Sequence, residues 1–165
     1  MWASSAPSRK DSVLIELDDL NLEGRDDIFI RLGFARALLT GHEDSSSEFA
    51  YLELLACWNH FSEEEPRKSS PEDFLAAFKS MADDFISGNF LSLQDPIPVN
   101  QNYQPQNGAH RISLLLAAQQ LGMATSSASF HVQPGPDRSW NFDFFRRRGL
   151  SPESLRLGLL EKSRA

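Results

Sequence analysis

The segment "DPIPVNQNYQPQNGAHRISLLLAAQQLG", Asp95 to Gly122, limits the fold more than any other part of the chain. Proline has no N–H to give to a ladder, so Pro96 and Pro98 confine the extended piece Ile97–Val99 to a sheet edge or a strand start. Asn107-Gly108 supplies a turn that tolerates positive φ. Leu114, Leu115, Ala118 and Leu121 then recur at helical spacing, which predicts an inward-anchored helix ending at Gly122. A short edge strand, a tight turn and a helix are therefore joined in one run.

The start of that helix is also the most concentrated chemical signal. The first turn of a helix presents unpaired N–H groups and the positive end of the macrodipole, so it attracts anions. Arg111 adds a bidentate fork for phosphate or carboxylate, and His110 adds one donor or a proton shuttle. Ala109 is small enough to let a ligand approach the backbone. The anion-binding set read from the residues is Asn107, Gly108, Ala109, His110 and Arg111. A purely structural alternative makes Asn107-Gly108 only a turn and pairs Arg111 with a local carboxylate such as Asp95, and spacing alone does not choose between the two.

Elsewhere the chain is punctuated by caps and breakers. "VLIELDDL", Val13 to Leu20, reads as a strand ending at the acidic pair Asp18 and Asp19. "RDDIFIRLGFARALLTG" is a helix stopped by Gly41, and "SSSEFAYLELLACWNHF" a second one with serine caps and a capping-box Glu48. "SPEDFLAAFKSMADDFISG" carries Pro71 in its first turn and Phe74, Phe78, Met81 and Phe85 on one face, a core stripe. "ASFHVQP" reads as a closing strand, on which His131 is structural. An aromatic helix holding Phe142, Phe144 and Phe145 beside Trp140 precedes a terminal helix capped at Ser151. Residues 1–12 form a flexible lead-in to one α+β domain over residues 13–165, with helical insertion about 25–62 and C-terminal helices about 141–163.

Charge and missing signatures narrow the function. A formal net charge of -7 and a pI near 5.0 oppose tracking along a polyanion, so nucleic acid is a poor partner. The basic cluster "RRRG", Arg146 to Gly149, reads as a solvated helix end. There is no P-loop, G-x-G-x-x-G fingerprint, nucleophile elbow or paired-cysteine pattern, and the four histidines show no H-x-x-x-H pair, so no metal ligands are assigned. Cys57, the single cysteine, reads as a buried hydrophobe in a reducing compartment. No run of about 18 apolar residues suggests a membrane span, and the cytoplasm is the expected location.

The stretch "PIPVNQNYQPQNGAHRISLLLAAQQLG" resembles the core of the ParB/sulfiredoxin superfamily, in which a P-I-x-V strand leads through a variable hairpin to a D-G-x-H-R or G-G-C-H-R turn and a helix. "PEDFLAAFKSMADDFISGNF" is similar to the family's preceding helix, and "VLIELDDL" resembles its first strand. The resemblance implies a small mixed sheet with a ParB/sulfiredoxin-like core and several added helices. It also implies that the turn at Gly108, His110 and Arg111 holds nucleotide phosphates, as in the related free serine kinases. Sulfiredoxin-like members carry a reducing cysteine where this chain has Ala109, which removes the redox activity. Members often have Asp where this chain has Asn107, which weakens any base or metal role there. The tail "WNFDFFRRRGLSPESLRLGLLE" resembles that of uncharacterised bacterial proteins that often accompany surface-polysaccharide genes, which favours a small sugar or metabolite as acceptor.

These readings converge on an expected nucleotide-binding phosphotransferase, an ATP-dependent small-molecule kinase, or a nucleotide hydrolase using ATP or another nucleoside triphosphate with Mg2+. Its catalytic residues are expected to be His110 with Asp18 and Glu16, the resemblance placing the end of the first strand near the nucleotide. The alternatives are a ParB-like nucleotide-switch or DNA-associated module and a non-catalytic anion-binding protein. Tyr103 and Gln104 are expected near the pocket mouth.

Overall fold

The computed structural model describes residues 12–64, 67–88, 95–123 and 127–165; apart from Ser12, the expected N-terminal lead-in lies outside them. Strand β1 (Val13–Glu16) opens the fold and is followed by helices α1 (Asp26–Thr40) and α2 (Ser45–Trp58). A ribbon of β2 (Glu63–Glu64) and β3 (Arg67–Lys68) leads to α3 (Pro71–Ile86), β4 (Ile97–Val99) and α4 (Ala109–Gln120). Strand β5 (Ser127–Val132) and helices α5 (Phe142–Arg147) and α6 (Pro152–Arg164) complete an α+β chain.

The three-stranded sheet has the order β1-β5-β4, with β1 antiparallel and β4 parallel to β5. Strand β4 takes the edge position that its prolines require, and Pro98 stands opposite His131 in the register. The outer side of β4 is closed by the chain itself, because Gln106 N–H donates to the Pro98 carbonyl at 2.9 Å. The strand expected over Val13 to Leu20 ends early: Leu17–Asp19 form a 3-10 turn that buries Leu17 and Leu20 and carries Asp18 and Asp19 outward.

Helix α1 lies at the centre of the molecule. Apolar residues surround it on every side, which is the pattern of a helix buried all round, and it packs against α2, α3, α4 and α6. Ile28, Leu32 and Ala35 are fully enclosed, and Gly41 closes the helix in the left-handed conformation at φ 71°. Phe74 and Phe78 of α3 and Ile112, Leu114 and Ala117 of α4 join the same core, with Phe130 from β5. A smaller cluster of Ile30, Leu54, Cys57, Phe145 and Leu150 seals α1 and α2 against the C-terminal elements.

Among the described helices α2, α3, α5 and α6 start on a side-chain cap, with one revision. Ser70, Asn141 and Ser151 accept from backbone N–H groups at the starts of α3, α5 and α6. At α2 the cap is Asp44, not a serine: its carboxylate accepts from Ser47 N–H at 3.0 Å and from the Ser47 hydroxyl at 2.7 Å. Among the described residues no helix is long and apolar enough to cross a membrane.

Candidate functional site

Helix α4 begins at Gly108, whose φ of 76° turns the chain sharply inward. A Cβ at that position would lie 3.0 Å from the Ile97 side chain and 3.3 Å from the Arg111 guanidinium, so the turn admits no larger residue without displacement. Asn107 fixes the turn by accepting from Gly108 N–H at 2.8 Å. No side chain caps the helix. Its first N–H groups have no acceptor within the helix, and Asn107, Gly108, Ala109, His110 and Arg111 line one corner of a cavity there.

That corner is one wall of a cavity of about 810 Å³. Arg25 just before the first helix, Arg31 within it, Lys68 from the ribbon, and Trp58 and Trp140 supply much of the remainder. Cations thus gather in a chain whose formal net charge is -7. Glu63, Asp84 and Asp95 also line the cavity. Glu63 pairs with Lys68 at 3.0 Å.

The expected residues fall into two groups. Asn107 through Arg111 line the cavity together. Glu16 and Asp18 do not line it: Glu16 is exposed on β1, and Asp18 lines a second cavity with Leu116, Gln119 and Gln120 at the far end of α4. The rise of 1.5 Å per residue puts those two ends of α4 roughly 15 Å apart. The catalytic assignment of Glu16 and Asp18 is accordingly corrected, because the turn after β1 carries the acidic pair to the wrong end of the helix. Tyr103 is exposed away from the cavity lining, and Gln104 is buried as a clamp, its amide donating to Glu23 and Arg138 carbonyls at 2.7 and 2.9 Å.

His110 differs from the cationic partner its sequence position suggests. Its ring packs edge-on against Phe78 and Tyr51, with centroids 4.7 and 5.7 Å away, and its Nε2 lies 2.8 Å from the Tyr51 hydroxyl. Burial holds the imidazole pKa well below 6.5, and the charges of Arg31 and Lys68 push the same way. His110 is therefore neutral at pH 7 and contributes a ring nitrogen rather than charge. Tyr51, wholly enclosed, has its phenol pKa raised by burial and stays protonated.

Arg111 meets the local carboxylate considered for it and also lines the cavity. One guanidinium nitrogen donates to the Asp95 carbonyl and lies 3.7 Å from its carboxylate, while the side chain still lines the cavity. An arginine under partial burial stays charged although burial lowers its pKa. Asp95 is 69% exposed at its side chain, so the pair is loose and an incoming anion can compete for the fork.

The sequence did not single out the floor of the cavity. Asp27 is fully buried between two guanidinium groups: Arg25 meets it with Nε and Nη2, both at 2.9 Å, and Arg31 with Nη1 at 2.9 Å. Arg25 stacks over Trp140 and Arg31 over Trp58, each 5.1 Å from the ring centroid, and the two indoles meet at 4.8 Å. The available signal was an arginine inside the apolar run Phe29-Ile30-Arg31-Leu32, four residues after an aspartate.

Nucleoside triphosphate phosphates fit this set, since an open helix N-terminus, one fork and several recessed cations are what such a group needs. Among the described residues no three His, Cys, Asp or Glu side chains gather as a metal site. Magnesium bound to phosphates needs only one or two protein carboxylates, and Asp84, Asp95 and Glu63 are the ones in place. Comparisons of the chain with protein-family models and curated proteins, and of its fold with solved structures, return no match.

Proposed function

We propose that the cavity binds a nucleotide through its phosphates, and that the chain is a phosphotransferase or nucleotide hydrolase acting on a small metabolite or sugar. The observation that carries this reading is the uncapped start of α4 opening, beside Arg111, into a cavity whose other walls include Arg25, Arg31 and Lys68. The ParB/sulfiredoxin-like resemblance of the same residues supports it. Phosphoryl transfer needs mostly positioning and neutralisation of charge, which N–H groups and recessed cations supply without reorganising. Magnesium arriving with a triphosphate would add further neutralisation between the phosphates.

The roles divide by position. The N–H groups of Ala109, His110 and Arg111 and the Arg111 fork hold phosphate oxygens. Trp58 and Trp140 offer apolar faces for a base or a sugar ring. Glu63 and Asp84 are the carboxylates available to accept a proton from an acceptor hydroxyl or to ligate magnesium, the task earlier expected of Glu16 and Asp18. Neutral His110 orients the corner through Tyr51.

A non-catalytic anion-binding protein is the second reading. It is favoured by Asn107, whose side chain is occupied in holding the turn where an acid would serve chemistry.

A thermal-shift panel with ATP, ADP, CTP and GTP, with and without magnesium, tests the proposal on wild type and Arg111→Ala. A ligand at a hundred times its dissociation constant adds about 2.7 kcal/mol of stability, so at least one nucleotide should raise Tm measurably, and the variant should lose most of that rise. If none of the four stabilises wild type, the nucleotide reading fails. Release of phosphate or transfer to an added sugar separates the enzyme from the binder.

A further inference from the structure

The cavity floor holds more positive charge than its own residues neutralise. Two guanidinium groups, each about 1% exposed, share one carboxylate, Asp27, which leaves one positive charge. The neighbouring buried Asp26 is engaged elsewhere, accepting from Phe142 N–H and Lys162, both at 2.8 Å.

The two arginines are not equally satisfied. Arg25 uses Nε and Nη2 on Asp27 and Nη1 on the Pro105 carbonyl. Arg31 uses Nη1 on the Asp27 carboxylate and, at 3.2 Å, on the Asp27 carbonyl, whereas its Nε is buried with no hydrogen-bond partner. Leaving a charged donor unpaired inside a protein is costly, and of the two buried side-chain nitrogens without a partner among the described residues, Arg31 Nε and Arg138 Nε, the first belongs to a residue of the cavity lining and the second does not. Arg31 also lines the cavity. The Nε edge of a guanidinium is the edge that takes a carboxylate side-on.

We propose that the floor is a second anion site, sharing the cavity with the α4 corner but centred on Arg31, that binds the carboxylate of a small acid. The acid is the acceptor in the phosphotransfer reading, and in that word alone the proposal rests on it. A carboxylate is the chemistry that fits: its single charge equals the charge left over, whereas a phosphate monoester would bring close to two into a low-dielectric floor. The indoles of Trp58 and Trp140, lying on the two arginines, give the carbon skeleton an apolar wall and report on its arrival.

The test uses the full chain without nucleotide. Intrinsic tryptophan emission is titrated with acetate, glycolate and inorganic phosphate at constant ionic strength, with chloride as the control, on wild type, Arg31→Lys and Arg111→Ala. The carboxylates should give a saturable change in wild type and in Arg111→Ala. In Arg31→Lys, which keeps the charge beside Asp27 but loses Nε and the planar fork, the dissociation constant should rise by about tenfold or more. Matching circular dichroism and Tm would establish that this variant is folded; should it not fold, the Arg31 Nε–H resonance of wild type is followed by NMR during the glycolate titration, where a saturable shift is expected and its absence overturns the site.

Absence of a saturable carboxylate response in wild type, or an unchanged response in folded Arg31→Lys, overturns the site. Tighter binding of phosphate than of either carboxylate, dependent on Arg31, overturns the carboxylate assignment. An ADP titration in parallel depends on Arg111, so its failure would remove the nucleotide reading and leave the Arg31 result standing.

Discussion

At the scale of single residues, His110 has the sharpest consequence. Its folded-state pKa lies well below 6.5 because its surroundings exclude the imidazolium, whereas in the unfolded chain it titrates near that value. On acidification the unfolded state therefore takes up the proton first. Stability from this residue is constant above about pH 6.5 and falls as pH drops through the interval down to the folded pKa. The slope approaches about 1.4 kcal/mol per pH unit for one proton. Denaturant unfolding of wild type and His110→Gln at about pH 7.5, 6.5 and 5.5 measures it, and the variant should lack that part of the acid slope. Equal slopes in the two proteins would mean that His110 charges as freely folded as unfolded. The sequence offered His110 as a donor or proton shuttle without fixing its charge state, because the burial that lowers its pKa and its partner Tyr51, 59 positions away, are announced by no local pattern.

The scale of elements explains what was legible and what was not. The ends of α1, α3 and α6 were readable because Gly41, Pro71 and Ser151 act within one turn of the backbone they terminate. The edge position of β4 followed from two prolines for the same reason. Tertiary placement was not local: nothing in the run of α1 announces that α2, α3, α4 and α6 pack around it, or that Asp27 and Arg31 on it are almost wholly buried. The close seating of α6 is another such fact. Gly158 lies where a Cβ would come within 2.6 Å of the Phe142 ring and 2.9 Å of Ile30, so α6 reaches α1 and α5 only because the side chain is absent. Gly158→Ala should therefore destabilise by about 1–3 kcal/mol, although alanine favours a helix by about 1 kcal/mol over glycine. Equilibrium unfolding in urea decides it: a more stable variant would mean that α6 can shift outward at little cost.

For the whole molecule, charge distribution separates a nucleotide pocket from a surface that reads nucleic acid. The chain carries 23 acidic and 16 basic residues, and the basic ones that matter at the cavity are recessed, Arg25 and Arg31 being almost wholly enclosed. The exposed Arg146 and Arg147 share the single carboxylate of Asp143, each at 2.5 Å, and Arg148 donates to the Cys57 and Trp58 carbonyls, so the one basic run in the sequence is partly neutralised and partly tied to the helix beside it. A duplex is too wide to reach the floor of such a cavity and is opposed by the chain's net charge of -7, whereas a mononucleotide can enter. Fluorescence polarisation with a labelled 20-base-pair duplex and with a fluorescent adenine nucleotide, each at about 50 and 200 mM salt, contrasts the two. The nucleotide should bind at both salt concentrations with a modest loss, because few charges are neutralised. The duplex should show no binding tighter than about 10⁻⁴ M even at the lower one. Duplex binding in the range of about 10⁻⁴–10⁻⁶ M that weakens steeply with salt would instead favour the DNA-associated alternative, and would require basic surface beyond the cavity described above.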